Sequence, residues 1–259
     1  MPRFAANLTM LFTELPFLQR FEAASRAGFE GVEYLFPYDF EARELAEALR
    51  AHGLVQVLHN LPAGDWAAGE RGIACHPDRV AEFRDGVDRA IGYAKTLGCP
   101  QLNCLVGKLP QGATLADVQP VLVDNLRFAA RALDTAGLRL LVEPINHLDI
   151  PGFALTRTDQ ALALLDQVGE ANLRIQYDVY HAQRMEGELA NTLNRHLGRI
   201  GHIQVADNPG RGEPGTGEIN YHWLFQHIDA LGYDGWIGCE YKPRASTQEG
   251  LDWISALTA

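Results

Sequence analysis

Four short segments in the second half of the chain each run from apolar residues into a carboxylate or an amide. They read Leu140-Leu141-Val142-Glu143-Pro144-Ile145-Asn146, Ile175-Gln176-Tyr177-Asp178-Val179-Tyr180-His181, His202-Ile203-Gln204-Val205-Ala206-Asp207 and Ile237-Gly238-Cys239-Glu240-Tyr241-Lys242. One such residue alone is as well explained by a salt bridge to a loop Lys or Arg. Four together are a different matter: if these ends share one site, Glu143, Asp178 and Glu240 bring three negative charges together, and burying each without compensation costs several kcal/mol. A bound divalent cation meets that requirement. With Gln204 added, the donor set is entirely oxygen, with no thiolate and no imidazole, which suits a hard ion such as Mg2+ or Mn2+ better than Zn2+.

These residues share a site only if the elements that carry them converge, and the pattern of the chain predicts that they do. Eight short extended runs recur, each followed by an amphipathic helical stretch. The predicted strands are 4–8, 31–36, 54–60, 101–106, 139–145, 173–177, 202–206 and 236–241, and helices are predicted over 16–27, 42–52, 78–97, 115–136, 158–168 and 187–197. Glycines stand where helices should stop, as in Ala27-Gly28-Phe29, Leu97-Gly98-Cys99 and Ala136-Gly137-Leu138, and an apolar strand follows each. Eight βα units within about 250 residues match a single-domain α/β TIM (β/α)8 barrel spanning 1–259, whose chemistry sits at the carboxyl ends of different strands. An open doubly wound sheet is the architectural alternative, but no G-x-G-x-x-G or Walker-type glycine loop follows any strand, so nucleotide binding lacks its usual support. The longest irregular stretches, 61–77 and 208–221, fall after the third and seventh strands and are candidate substrate covers.

Composition narrows the partners. The 259 residues include 22 Lys+Arg against 33 Asp+Glu, a formal net charge of −11, which disfavours an electrostatic grip on nucleic acid or on anionic lipid. Cys75, Cys99, Cys104 and Cys239 form no C-x-x-C pair, so a disulfide framework or zinc knuckle is not expected, and a reducing cytoplasm is. No uncharged apolar run approaches the roughly 20 residues of a membrane helix, and no secretory leader is expected. Apolar residues on exposed barrel helices would allow homo-oligomers without specifying one.

The motifs Val142-Glu143-Pro144-Ile145-Asn146, Tyr177-Asp178-Val179-Tyr180-His181, Gly201-His202-Ile203-Gln204-Val205-Ala206-Asp207 with Arg211-Gly212-Glu213-Pro214-Gly215, and Cys239-Glu240-Tyr241-Lys242-Pro243 resemble the hydroxypyruvate isomerase family. That family lies within the xylose isomerase-like sugar isomerases and epimerases. Ala5-Ala6-Asn7-Leu8 and Asn60-Leu61-Pro62-Ala63-Gly64-Asp65-Trp66 resemble the same branch, so the likeness runs end to end. Gln204 is its most discriminating residue, because related ketose 3-epimerases place histidine there. The resemblance implies a TIM barrel, a divalent metal on Glu143, Asp178, Gln204 and Glu240, and Glu143 and Glu240 as a proton-transferring pair.

The implied reaction moves a carbonyl one carbon along a small anionic hydroxy-keto acid, hydroxypyruvate to tartronate semialdehyde, through an enediolate. A four-carbon 2-oxo-tetronate needs the same proton shift. The substrate carboxylate needs a cation, and Arg211 is the preferred partner because its planar fork is bidentate, ahead of Lys108 and Arg71. His181 and His59 are further substrate contacts, and Trp66 is a candidate lid. Competing classes are a keto-polyol dehydratase, a non-catalytic binding barrel and a phosphodiester-cleaving barrel, the last requiring a histidine-rich zinc site and a basic track that the chain lacks.

Overall fold

The computed structural model describes residues 2–258. Eight parallel strands close into a barrel in sequence order. They are β1 (Arg3–Asn7), β2 (Gly31–Glu33), β3 (Val55–Asn60), β4 (Gln101–Cys104), β5 (Arg139–Val142), β6 (Leu173–Asp178), β7 (Ile200–Val205) and β8 (Trp236–Cys239), with β8 pairing back onto β1. The helices are α1 (Gln19–Arg26), α2 (Ala42–Ala51), α3 (Val80–Leu97), α4 (Leu115–Thr135), α5 (Thr158–Val168), α6 (Val179–Met185), α7 (Leu189–His196), α8 (Tyr221–Ala230) and α9 (Trp253–Thr258).

The helices that build the outer layer carry one apolar stripe. In α3, Phe83, Val87, Ala90, Ala94 and Leu97 are buried at three- and four-residue spacing, and Gly98 ends the helix at φ 67°, a left-handed conformation that glycine adopts at little cost. Helix α4 buries Val118, Leu122, Leu126, Ala129 and Leu133 in the same way, and Asp117 Oδ2 accepts the Thr114 backbone N–H at 2.8 Å to tie down its first turn. These stripes and the outward face of the sheet form the main core.

Several strands end sooner than the apolar runs suggest: β5 stops at Val142 and β8 at Cys239, so that Glu143 and Glu240 stand just past the last paired residue. Pro144 has no N–H to continue the ladder. The barrel interior is layered by the two-residue alternation of strands. Its floor is apolar, with Ala5, Val57, Leu58 and Leu141 packed against Trp236. Two residues further along β5 comes Glu143, and the corresponding steps on β6, β7 and β8 lead from Gln176 to Asp178, from His202 to Gln204 and from Gly238 to Glu240. The upper interior is therefore polar, and all of these side chains are buried.

Three helices, α6, α8 and α9, lie outside the predicted ranges. Helix α6 follows β6 without a loop, because Asp178 serves as its N-cap, its Oδ1 accepting from the backbone N–H of Tyr180 at 2.7 Å. Helix α9 packs Trp253 on Phe4 and Phe225. All four cysteines are buried free thiols, in keeping with their reading as small apolar residues.

Candidate active site

Glu143, Asp178 and His181 offer ligand atoms that all lie within 4.8 Å of one another. Asp178 and His181 are held by the β6–α6 junction, and Glu143 by two amides: Asn103 Nδ2 at 3.0 Å and Gln176 Nε2 at 2.8 Å both donate to its Oε2. Its other oxygen faces His181, 3.8 Å from Nε2. Glu240 lies outside that trio and joins it through Arg211, whose guanidinium donates to Glu240 Oε2 at 3.0 Å and lies 3.7 Å from Asp178 Oδ2. The structure therefore gathers Glu143, Asp178, Glu240, His181 and Arg211 at one mouth. Gln204 reaches them through Gln176, whose Nε2 also donates to Gln204 Oε1 at 2.6 Å.

The electrostatics are those of three carboxylates removed from water. Burial, together with the charges of Glu240 and Asp178, pushes Glu143 well above the usual carboxylate range. Burial raises Asp178 too, opposed by Arg211 and by two backbone N–H groups. Glu240 is pushed up to about 8, chiefly by burial, although Arg211 pulls in the opposite direction. Burial works against the charge on Arg211, but Glu240, Asp178 and Glu143 outweigh it and hold the guanidinium above its ordinary value. His181 is driven well below 6.5 by burial and by Arg211 and Arg184, so its imidazole is neutral. Its tautomer follows from its neighbour: Asn146 Oδ1 accepts the Asp149 N–H at 2.8 Å, which turns Asn146 Nδ2 toward His181 Nδ1 at 2.6 Å. Nδ1 is then the acceptor and Nε2–H points at Asp178 and Glu143.

These residues can hold a metal ion. Asp178 Oδ2 is buried with no hydrogen-bond donor, and the three carboxylates face one guanidinium. The sequence-derived ligand set did not include His181, which the geometry places among the carboxylates, although its Nε2 carries the proton in this hydrogen-bond network.

Arg211 departs from expectation in its partners. It sits in the loop between β7 and α8 at φ 54°, a left-handed conformation uncommon for a residue with a side chain. The loop is held there by Asp207, which accepts the backbone N–H groups of Asn208, Gly215 and Ile219, and by the Lys242 N–H, which donates to the Arg211 carbonyl at 2.7 Å. So constrained, the guanidinium lies over the Tyr180 ring at 5.3 Å and turns into the carboxylates; its Nε–H is buried without an acceptor.

Trp66 and Arg71, on the loop after β3, and Lys108, on the loop after β4, assemble into a separate group. The Arg71 guanidinium stacks on Trp66 at 3.9 Å, Trp66 packs on Phe36 at 5.0 Å, and Lys108 Nζ donates to the Gly69 carbonyl at 2.8 Å. Both cations are thus engaged in holding the loop. His59 is not brought to the mouth. Opposite β2, Val32 pairs with Gln56 but Glu33 pairs with Leu58, a bulge that leaves Val57 unpaired and turns both Val57 and Leu58 toward the floor. His59 then points outward, edge-on to Tyr38 with both ring nitrogens unpartnered, and burial lowers it to about 3.

The sequence reading missed Asn103, Asn146 and Gln176, and also Glu33 and His202 deeper in the barrel. Polar residues at the inward parity of barrel strands were the available signal. A cavity of about 610 Å3 at the opposite, N-terminal end, lined by Gln101, Arg139, Arg174 and Trp236 among others, is separated from these groups by the apolar floor.

The comparisons with known proteins agree with this geometry. A family model described as xylose isomerase-like TIM barrel matches residues 21–257. The hydroxypyruvate isomerase of Escherichia coli (strain K12) is 59% identical over 254 residues, covering 98% of both chains, and the 2-oxo-tetronate isomerase of Cupriavidus necator is 50% identical over 254 residues with the same coverage. Among solved structures, one described as AP endonuclease, family 2, from Brucella melitensis superposes with a TM-score of 0.96 at 46% identity, covering 99% of both chains. An L-ribulose 3-epimerase at 23% identity, with a TM-score of 0.78, shares the fold. With a closed eight-stranded barrel, buried carboxylates at its mouth and relatives of this closeness, the chain belongs to the xylose isomerase-like TIM barrel family, on the branch of hydroxypyruvate and 2-oxo-tetronate isomerases, and is an isomerase.

Proposed function

We propose that the protein interconverts hydroxypyruvate and tartronate semialdehyde, with Glu143 and Glu240 as the proton-transferring pair. The observation that carries this reading is the pair itself: two buried carboxyl groups at one mouth, Glu143 beside Asp178 and Glu240 on Arg211, both raised by burial above the usual carboxylate range, which suits groups that must both accept and return a proton. In one direction, one glutamate removes a proton from the hydroxymethyl carbon and the other delivers a proton to the neighbouring carbon, while the hydroxyl proton moves to the former carbonyl oxygen. In the other direction, the roles exchange.

The cation would be held by Glu143, Asp178 and Glu240 with the Gln204 amide oxygen, an oxygen-rich set that favours Mg2+ or Mn2+. When bound, it supplies Lewis acidity to the two substrate oxygens that carry the enediolate charge. The chain's own groups do the rest. Asn103 and Gln176 fix one oxygen of Glu143, leaving the other for the proton. His181 Nε2–H donates to a substrate oxygen, and the unpartnered Nε–H of Arg211 is the donor left for the substrate carboxylate. Trp66, held by Arg71, and Lys108 shape the cover. The four reduced cysteines suit a cytoplasmic enzyme, and no helix among the described residues is long and apolar enough to cross a membrane.

The same site chemistry accommodates 2-oxo-tetronate, the substrate named for the Cupriavidus relative. An NMR assay in deuterium oxide with Mg2+ or Mn2+, offering both acids side by side, tests the proposal. Turnover of hydroxypyruvate with solvent deuterium at the carbon beside the new carbonyl is expected. Turnover of 2-oxo-tetronate alone transfers the assignment to the four-carbon acid, and loss of water from a keto-polyol would make the enzyme a lyase.

A further inference from the structure

Below the mouth lies a further buried carboxylate, one that the reaction does not use. Glu33, on β2, is fully buried, and its carboxylate is enclosed on four sides. Asn7 Nδ2 at 3.0 Å and Gln204 Nε2 at 2.7 Å both donate to Oε1, His202 Nε2 lies 2.6 Å from Oε2, and a Cβ on Gly238 would stand 2.4 Å from both oxygens. With two amide groups donating to it, Oε1 is an acceptor whichever member of the Glu33–His202 pair holds a proton.

An acceptor at that point dictates the sense of every amide above it. Gln204 must turn its nitrogen down to Glu33, which sends Oε1 upward to Gln176 Nε2 at 2.6 Å. Gln176 must then give both amide protons away, one to Gln204 and one to Glu143 Oε2 at 2.8 Å, and its own Oε1 is left buried with no partner. An orphaned buried carbonyl is costly, and Gln176 is left in this sense because the chain Glu33–Gln204–Gln176–Glu143 runs in one direction only.

We propose that Glu33 is a positioning residue that orients the Gln204 amide with its oxygen toward the carboxylate cluster, the sense in which Gln204 serves as a ligand to the site's cation. The proposal rests on the metal reading given above. Outer groups that orient a metal ligand are typically worth 10- to 100-fold in affinity. Reversing the amide would point an NH2 group at the cation instead.

Isothermal titration with Mn2+ of the wild-type protein, Glu33→Gln and the double variant Glu33→Gln/Gln204→Glu tests this. The single variant is isosteric but lets the Gln204 amide reverse, and its Mn2+ affinity should fall 10- to 100-fold. The double variant keeps the total charge of the wild type and places a carboxylate at 204, which offers oxygen on both edges, so affinity should return to within a few-fold. A folded Glu33→Gln protein within twofold of wild type, or a folded double variant that binds no better than the single one, overturns the proposal. Should the single variant fail to fold, a folded double variant decides by binding or not binding as the wild type does. In the wild type itself, a Mn2+-soaked crystal must show the Gln204 oxygen on the ion and its nitrogen on Glu33; Gln204 away from the ion refutes the proposal without any variant. A wild-type protein that binds no Mn2+ refutes the metal reading and this inference with it.

Discussion

The buried carboxylates predict an unusual dependence of stability on pH in metal-free protein. Glu240 is held at about 8 in the folded chain, against about 4.3 for an unperturbed glutamate. Between those values the native state keeps a proton that the unfolded state has released. The unfolded state then binds fewer protons, and unfolding free energy falls as pH rises, by about 1.4 kcal/mol per pH unit for each retained proton. Below about pH 6.5 the effect is opposed by His181, which is well below its usual value, and by His59 at about 3, because both are neutral when folded and charged when unfolded. Above about pH 8 the thiols enter, with Cys75 raised to about 11 by burial. The histidine effect fades between about pH 6.5 and 7.5, so from pH 6.5 to 8 Glu240 accounts for a loss of about 2 kcal/mol, against which the two histidines return less than about 1 kcal/mol, and Glu143, also raised, adds to the loss. Urea unfolding of chelator-treated protein, followed by the fluorescence of its four tryptophans, measures this directly. Adding Mg2+ or Mn2+ should reverse the trend, since a cation binds the ionised carboxylates and stabilises more as protons leave. Metal-free stability that is flat or rising from pH 6.5 to 8 would refute the idea that these carboxyls are held protonated by burial.

Glu143→Gln and Glu240→Gln should each lower kcat by about 10^2 to 10^4 while far-ultraviolet circular dichroism stays unchanged; normal turnover by either excludes the paired-glutamate mechanism. Chelation should abolish activity, and Mg2+ or Mn2+ should restore it; full activity in the chelated protein argues against a cation at the cluster. Arg211→Lys keeps the charge but loses the planar fork, and KM for the anionic substrate should rise roughly 10- to 100-fold, an effect absent if Arg211 serves only to neutralise the carboxylates. Gly238→Ala drives a methyl group into the Glu33 carboxylate and should cost about 1–3 kcal/mol of stability, read by chemical denaturation.

An acidic protein that acts on an anion needs a local reversal of field at the site. Arg211 supplies part of it from within the carboxylate cluster, and its backbone conformation is maintained by Asp207 and Lys242 rather than by its own preference. Arg211 contacts the carboxylates of Glu240 and Asp178, the groups proposed to hold a divalent cation; a cation held there would compete with the guanidinium for those oxygens and would free its donors for substrate.

Local pattern made the architecture legible. Strand alternation and helix periodicity are properties of a few neighbouring residues, so the eight βα units and the placement of Glu143, Asp178 and Glu240 at strand ends could be read before any contact was known. The same parity argument extends to Gln204, one inward step beyond His202. What the chain alone did not disclose depends on closure and register. The bulge at Val57 reverses the parity of β3 and sends His59 outward. The Glu33–His202 pair joins residues 169 positions apart in sequence, through a gap left open by Gly238. Arg211 points at carboxylates because a left-handed backbone and distant hydrogen bonds aim it there. Sequence by itself placed Glu143, Asp178, Gln204 and Glu240 at inward strand ends, because a strand alternates regardless of its neighbours; only the closed barrel decided which side chains reach the mouth and which of them touch, because bulges, hydrogen-bond sense and side-chain direction are set by partners far away along the chain.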